Sequence, residues 1–315
     1  MFSLPVRFSQ RFGEREYLRK NKTNYIYKIM PKIVKQSNDA EYKVSTKPLY
    51  DKEGNFSGVY GNFRPEVKEA LGFCTERYGL VQNSDLFTTV DEALETKKAL
   101  KNPEVRTVVV GNGERVYRTY TWKDSEFNFR VGKPKVGDEL GLRLTVQNSF
   151  DRSLRLSVIL GFLRLVCTNG MTTLTREFDL TRRHQSGIDT SFLGEGIDKA
   201  LENIDEQKQV FNRLAGKVIS ETQGVSVLGN LVKKNVLSSS MRDSIEAIWH
   251  DPSYDEDRER TLYNLLNAGT QHLTRVVEPK RFELAQRVNR DMLKVLDRAA
   301  GAKKAMDALL VPVAK

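Results

Sequence analysis

The chain has 315 residues, 39% hydrophobic and 29% charged, which is enough for one large domain or two modest ones with a core that needs no disulfide or metal staples. Its two cysteines, Cys74 and Cys167, and three histidines, His184, His250 and His272, are too few for an ordinary structural zinc site or a disulfide framework. No window approaches the roughly 18 uninterrupted apolar residues of a membrane span, because the most apolar stretch, residues 154–167, is broken by Arg155, Ser157 and Arg164.

A formal net charge of +10 points toward an anionic partner, and its distribution sharpens that inference. Residues 1–35 carry nine Lys or Arg against two acids, and residues 275–304 carry nine against four, so the body between them is close to neutral. Basic ends that merely keep the chain soluble are the alternative reading. The opening MFSLPVRFSQRF is basic and rich in Phe and Leu, in the manner of a transit peptide, but Glu14 and Glu16 spoil that pattern. Met30 offers a second start. Residues 1–35 are therefore expected to be a basic, mobile segment.

The expected class is α+β: an antiparallel, hairpin-rich region over residues 36–190 and a helical region over 191–315. YKVSTKPLY and FSGVYGNF read as strands joined at Asp51-Lys52-Glu53-Gly54-Asn55. Residues 65–72 and 91–100 read as helices, with GLVQNSDLF between them. VRTVVVG and RVYRTYTW then form a hairpin across Asn112-Gly113, the strongest short turn signal available. Leu140, Leu142, Leu144 and Val146 alternate with Gly141, Arg143, Thr145 and Gln147, and the alternation resumes through Leu154, Leu156, Val158, Leu160 and Phe162. Period two in both arms predicts paired strands with one buried face, leaving Arg143 and Arg155 on the other. Farther on, Ile197, Leu201, Ile204, Phe211, Leu214 and Val218 lie along one stripe of a long amphipathic helix. Helices are also predicted around residues 239–249, 255–273 and 279–299, with Gly224, Pro252 and Pro279 as punctuation.

Motifs that carry chemistry are mostly missing. Gly111-Asn112-Gly113 sits in a turn and lacks the third glycine of a dinucleotide site, and there is no phosphate-binding loop, His-Glu-x-x-His or Gly-x-Ser-x-Gly. Cys167, at the end of an apolar strand, is expected to be buried and inert; as a nucleophile it would need His184 as its base. The acids of residues 251–259 fit a solvated helix start better than a cation site. No catalytic residue, metal or cofactor is predicted.

Three blocks in order carry a resemblance. They are residues 78–87 (YGLVQNSDLF, with Asn83), residues 147–153 (QNSFDRS, with Asn148), and Cys167-Thr168-Asn169 followed by Arg183-His184. With them the chain resembles, over approximately residues 60–230, the phage- and plasmid-encoded family known as domain of unknown function 932. That resemblance implies a mobile-element setting in a bacterial cytoplasm, in the company of replication and recombination proteins. The strand-then-helix order with basic faces is also loosely similar to phage single-strand annealing proteins, which assemble as rings or filaments on DNA.

The physical requirement for such a role is modest: Lys and Arg track phosphates, rings stack on bases, and assembly joins weak sites into a track. Lys133, Lys135, Arg152, Arg155, Arg164, Arg182, Arg183 and His184 are the candidate phosphate contacts, with Tyr117, Tyr120 and Trp122 as candidate stacking rings. His184 and Asn169 equally suit a structural role in a turn. The expected function is a non-enzymatic, oligomeric protein that binds single-stranded nucleic acid, with DNA favoured and no membrane partner. A phage structural protein or an inhibitor of host defence, using the helical half as its partner surface, is the first alternative. A nuclease-like enzyme using Asp138, Glu139 or Asp151 is the second.

Overall fold

The computed structural model describes residues 40–132, 138–164, 170–171, 179–202, 204–275 and 282–313. Strands β1 (Ser45–Tyr50), β2 (Phe56–Phe63) and β3 (Gly72–Cys74) form a three-stranded antiparallel sheet in that order. A larger sheet follows from β4 (Glu104–Val110), β5 (Arg115–Trp122), β6 (Phe129–Val131), β7 (Asp138–Ser149), β8 (Leu156–Arg164), β9 (Gly170–Met171) and β10 (Asp179–Arg182). Its order is β10-β8-β7-β5-β4, with β6 and β9 pairing β7 and β8 respectively. Helix α1 (Asn83–Glu95) lies between the two sheets in sequence. After β10 come α2 (Phe192–Glu202), α3 (Ile204–Ala215), α4 (Glu221–Lys233), α5 (Ser239–His250), α6 (Leu262–Arg275), α7 (Phe282–Gly301) and α8 (Lys303–Leu310). The class is α+β, as the alternation and the later helical spacing predict.

The β7–β8 ladder follows from the sequence directly. Leu142 lies opposite Phe162, Leu144 opposite Leu160 and Val146 opposite Val158, and all six are buried on one face. Arg143 stands opposite Gly161 on the other face, where burial first and Arg106 second push its guanidinium pKa down to about 10. That second face is not an open basic surface, because Thr145, Ser157 and Gln147 on it are buried as well.

The core continues from this sheet into the helices. Phe129 meets Phe162 at 5.0 Å, Phe162 meets Phe211 of α3 at 6.0 Å, and Phe211 meets Tyr263 of α6 at 6.1 Å, all three edge to face. Strands and helices thus share one hydrophobic cluster, and residues 38–315 form one compact unit. The expected mobile segment falls outside the described residues.

Four expectations change. Residues 65–71 form turns and bends, not a helix. Helix α1 starts at Asn83, eight residues before the predicted Asp91, because Gln82 ahead of it is held by tertiary bonds: its amide bonds both the N–H (3.0 Å) and the carbonyl (2.8 Å) of Val44. The predicted stripe keeps Ile197, Ile204, Phe211 and Leu214 buried, but α3 ends at Ala215 and Val218 beyond it is exposed. Gly224 does not interrupt a helix; α4 runs through it, started by a capping box between Ser220 and Gln223. Among the described residues no helix is long and apolar enough to cross a membrane.

Candidate nucleic-acid interface

The described parts of the family-motif blocks, residues 78–87, 147–153 and 183–184, converge at the end of the large sheet where β7 turns into β8. Asn148 donates from Nδ2 to Asn83 Oδ1 (2.8 Å) and to the Val81 carbonyl (2.9 Å), and Asn83 donates to the Ala40 carbonyl (2.8 Å). Both asparagines are fully buried, so each bond replaces water that the amide has lost. Their role is to fasten the start of α1 to the end of β7. Tyr78 completes the joint: its hydroxyl donates to the Ser149 carbonyl (2.9 Å) and its ring stacks on His184, centroids 5.2 Å apart.

His184 is largely buried against this joint. Its Nδ1 lies 3.2 Å from the Gly79 carbonyl, which can only accept, so Nδ1 carries the proton in the neutral ring. Burial pulls the imidazole pKa below its ordinary value, and the Gly79 bond opposes it more weakly. A Cβ at Gly79 would run into the carbonyl of Gln185, so the chain after β10 approaches this segment as closely as glycine alone permits. The bond from Ser186 N–H to the Arg77 carbonyl (2.8 Å) secures the same approach.

Around this joint the structure brings together four of the candidate arginines. Asp151 builds the turn between β7 and β8, accepting from the N–H (2.9 Å) and hydroxyl of Ser153. Arg152 in that turn adopts a left-handed backbone, φ 65°, which a non-glycine residue takes up at a cost of about 1 kcal/mol. Arg155 leads into β8. Arg182 ends β10 in register with Leu156, so Arg182 and Arg183 lie at the same end of the sheet as Arg155. All four are exposed, and none forms an ion pair with a carboxylate among the described residues. The guanidinium of Arg182 lies over the Phe192 ring at 4.8 Å.

Other candidates fall elsewhere. Arg164 ends β8 on the opposite side of the sheet, fully buried, with Nη1 2.7 Å from Asp257 Oδ2; it cannot contact a phosphate and is instead a core ion pair. Asp257 belongs to the acidic run that reads as a solvated helix start, yet it is buried and also accepts from Asn267 (3.0 Å). Tyr117, Tyr120 and Trp122 are all buried and offer no face to a base: Tyr120 and Trp122 lie in the main core, and Tyr117 packs with Val110 and Leu154. Lys133, Lys135, Cys167, Thr168 and Asn169 lie outside the described residues. Among the described residues no group of three or more His, Cys, Asp or Glu is placed to hold a metal.

What the sequence reading missed is a set of exposed rings on the small sheet, Tyr50, Phe56 and Phe73. Their signal is faint: strand residues without an apolar partner in alternation look the same as half-buried ones.

The arrangement is that of an α+β protein whose sheet end is basic on the outside and fastened by buried amides within. The chain belongs to the family described as Domain of unknown function (DUF932), which matches residues 70–300. That span covers the large sheet and nearly all the helices, and with them most of the shared core. No curated protein and no solved structure matches the chain.

Proposed function

We propose that this protein binds single-stranded nucleic acid, without catalysis, through the arginines at the β7–β8 end of the large sheet, as an oligomer serving annealing or recombination of a phage or other mobile element in the bacterial cytoplasm. The observation that carries the reading is the gathering of Arg152, Arg155, Arg182 and Arg183 at one sheet end with no carboxylate paired to any of them among the described residues. Exposed guanidinium groups whose charge no neighbouring carboxylate offsets can neutralise phosphates and release the counterions condensed on a strand. The buried asparagines and the Tyr78–His184 stack suit this role by holding the turn and the β10 terminus in fixed register, so the charges are positioned before binding.

The reading is tested by fluorescence anisotropy with a labelled single-stranded oligonucleotide over a salt series. Four phosphate contacts give a slope of log affinity against log salt of about −2.8, and Arg182→Ala with Arg183→Ala reduces its magnitude by about 1.4. The loss is alike for all sequences. An unchanged slope and affinity in the double variant would remove this surface from consideration.

A further inference from the structure

The rings that the strand pattern offered for stacking are inside the protein, so base contact needs another surface. We propose that the outward face of the three-stranded sheet, bearing Lys47, Phe63 and Phe73 beside Arg152, is a base-stacking platform for single-stranded nucleic acid. This rests on the reading of the adjoining arginines as phosphate contacts and names the second half of the same site.

The register defines the platform. Lys47 pairs with Gly61 and Gly61 with Phe73, so the three stand in one row across β1, β2 and β3. Gly72 and Cys74 on either side of Phe73 are buried, and alternation therefore turns Phe73 outward, where 59% of it is exposed. Phe63, two residues from Gly61, shares that face, and the Lys47 ammonium lies 5.9 Å from its ring centroid. Val59, also on this face, is exposed too.

Continuity with the arginine cluster comes through the backbone. Arg152 Nη1 lies 3.5 Å from the Phe73 carbonyl, and Asn62 of β2 donates to the Phe150 carbonyl at 2.8 Å, so the small sheet is bonded to the very turn that displays Arg152. An apolar face left open forgoes its burial energy, and such faces mark interaction sites. Here the occupant is narrowed by charge. A cation stands at either side of the rings, and the strand residues of this face include no acid. Flat rings between cations suit a polyanion carrying π faces, in which each stacked base contributes about 1–3 kcal/mol regardless of its identity.

The test compares a labelled single strand with an abasic strand of equal length and charge. The wild-type protein should prefer the base-carrying strand about tenfold or more. Phe73→Ala should erase that preference and Phe73→Trp should keep it. Phe56→Ala, which removes an exposed ring from the opposite face of the same hairpin, should also keep it. Arg182→Ala with Arg183→Ala should weaken both strands by one factor. A preference that survives in Phe73→Ala, alongside weakened binding in the arginine variant, overturns the platform and leaves the phosphate surface standing. Binding of neither strand by the wild type overturns both. Loss of assembly in Phe73→Ala by mass photometry would make this face a subunit contact and overturn the platform as well.

Discussion

Arg164 and Asp257 lie 93 residues apart in sequence and meet with almost no water around them, their side chains 1% and 6% exposed. The carboxylate neutralises the guanidinium there, the Tyr254 ring lies 5.5 Å from its centre, and Asn267 anchors the second carboxylate oxygen. Asp257→Asn keeps the shape and removes the charge. The expected cost is about 3 kcal/mol or more of folding stability, read as a lower denaturant midpoint at unchanged slope. The same variant should bind oligonucleotide as the wild type does below its unfolding transition, since the pair is remote from the exposed arginines. A loss below about 1 kcal/mol would mean that the pair is solvated in solution. His184 is a different case, a ring held by stacking and one carbonyl bond, and its burial acts on the whole molecule.

At the scale of elements, α4 shows two preferences in conflict. Glycine in a helix interior costs about 1 kcal/mol relative to alanine, so Gly224→Ala ought to stabilise the helix on propensity alone. A Cβ there, however, would press into the Trp249 indole, which is fully buried and donates to the Glu221 carbonyl at 3.1 Å. Overpacking of a rigid ring typically costs about 1–3 kcal/mol, so the net effect is destabilising and the melting temperature of Gly224→Ala falls. A rise would show that α4 and α5 separate easily. The same residue explains why this helix was hidden in the sequence: glycine reads as a local breaker, and the reason for it stands 25 residues away. The start of α1 was hidden likewise, since Gln82 spends its amide on Val44 and gives no local cap. The β7–β8 pair was legible because the face packed into the core takes apolar side chains at every second position of both arms, although the opposite face is covered too. Of the candidate site, Arg152, Arg155, Arg182 and Arg183 could be named from position in turns and strand ends. Arg164 could not be told from them, because only the distant Asp257 makes it internal, and β5 buries rings on both faces where alternation predicts one.

For the molecule as a whole, the shared core makes a definite claim about unfolding. Trp122 lies in the sheet and Trp249 in the helices, and both belong to the same hydrophobic cluster. If that cluster is one cooperative unit, Trp122→Phe and Trp249→Phe, each leaving one reporter, should melt at midpoints that coincide with the loss of far-ultraviolet circular dichroism in the same variant. Acid supplies a second axis, because each region carries a histidine held neutral. Burial lowers the pKa of His184 beside the sheet and of His272 in α6. The unfolded chain, with histidines near their ordinary value of about 6.5, therefore binds more protons than the folded one between that value and the depressed one. Stability is complete above this window and declines as pH falls through it, by at most about 1.4 kcal/mol per pH unit for each histidine. Melts at pH 7.5 and 5.5 should show both tryptophan transitions moving down together, and His184→Gln with His272→Gln should lessen the shift. If the two tryptophans report separate midpoints, or only one of them responds to acid, the sheet and the helices are independent folding units. The fixed display of arginines at the sheet end would then owe nothing to the helical half.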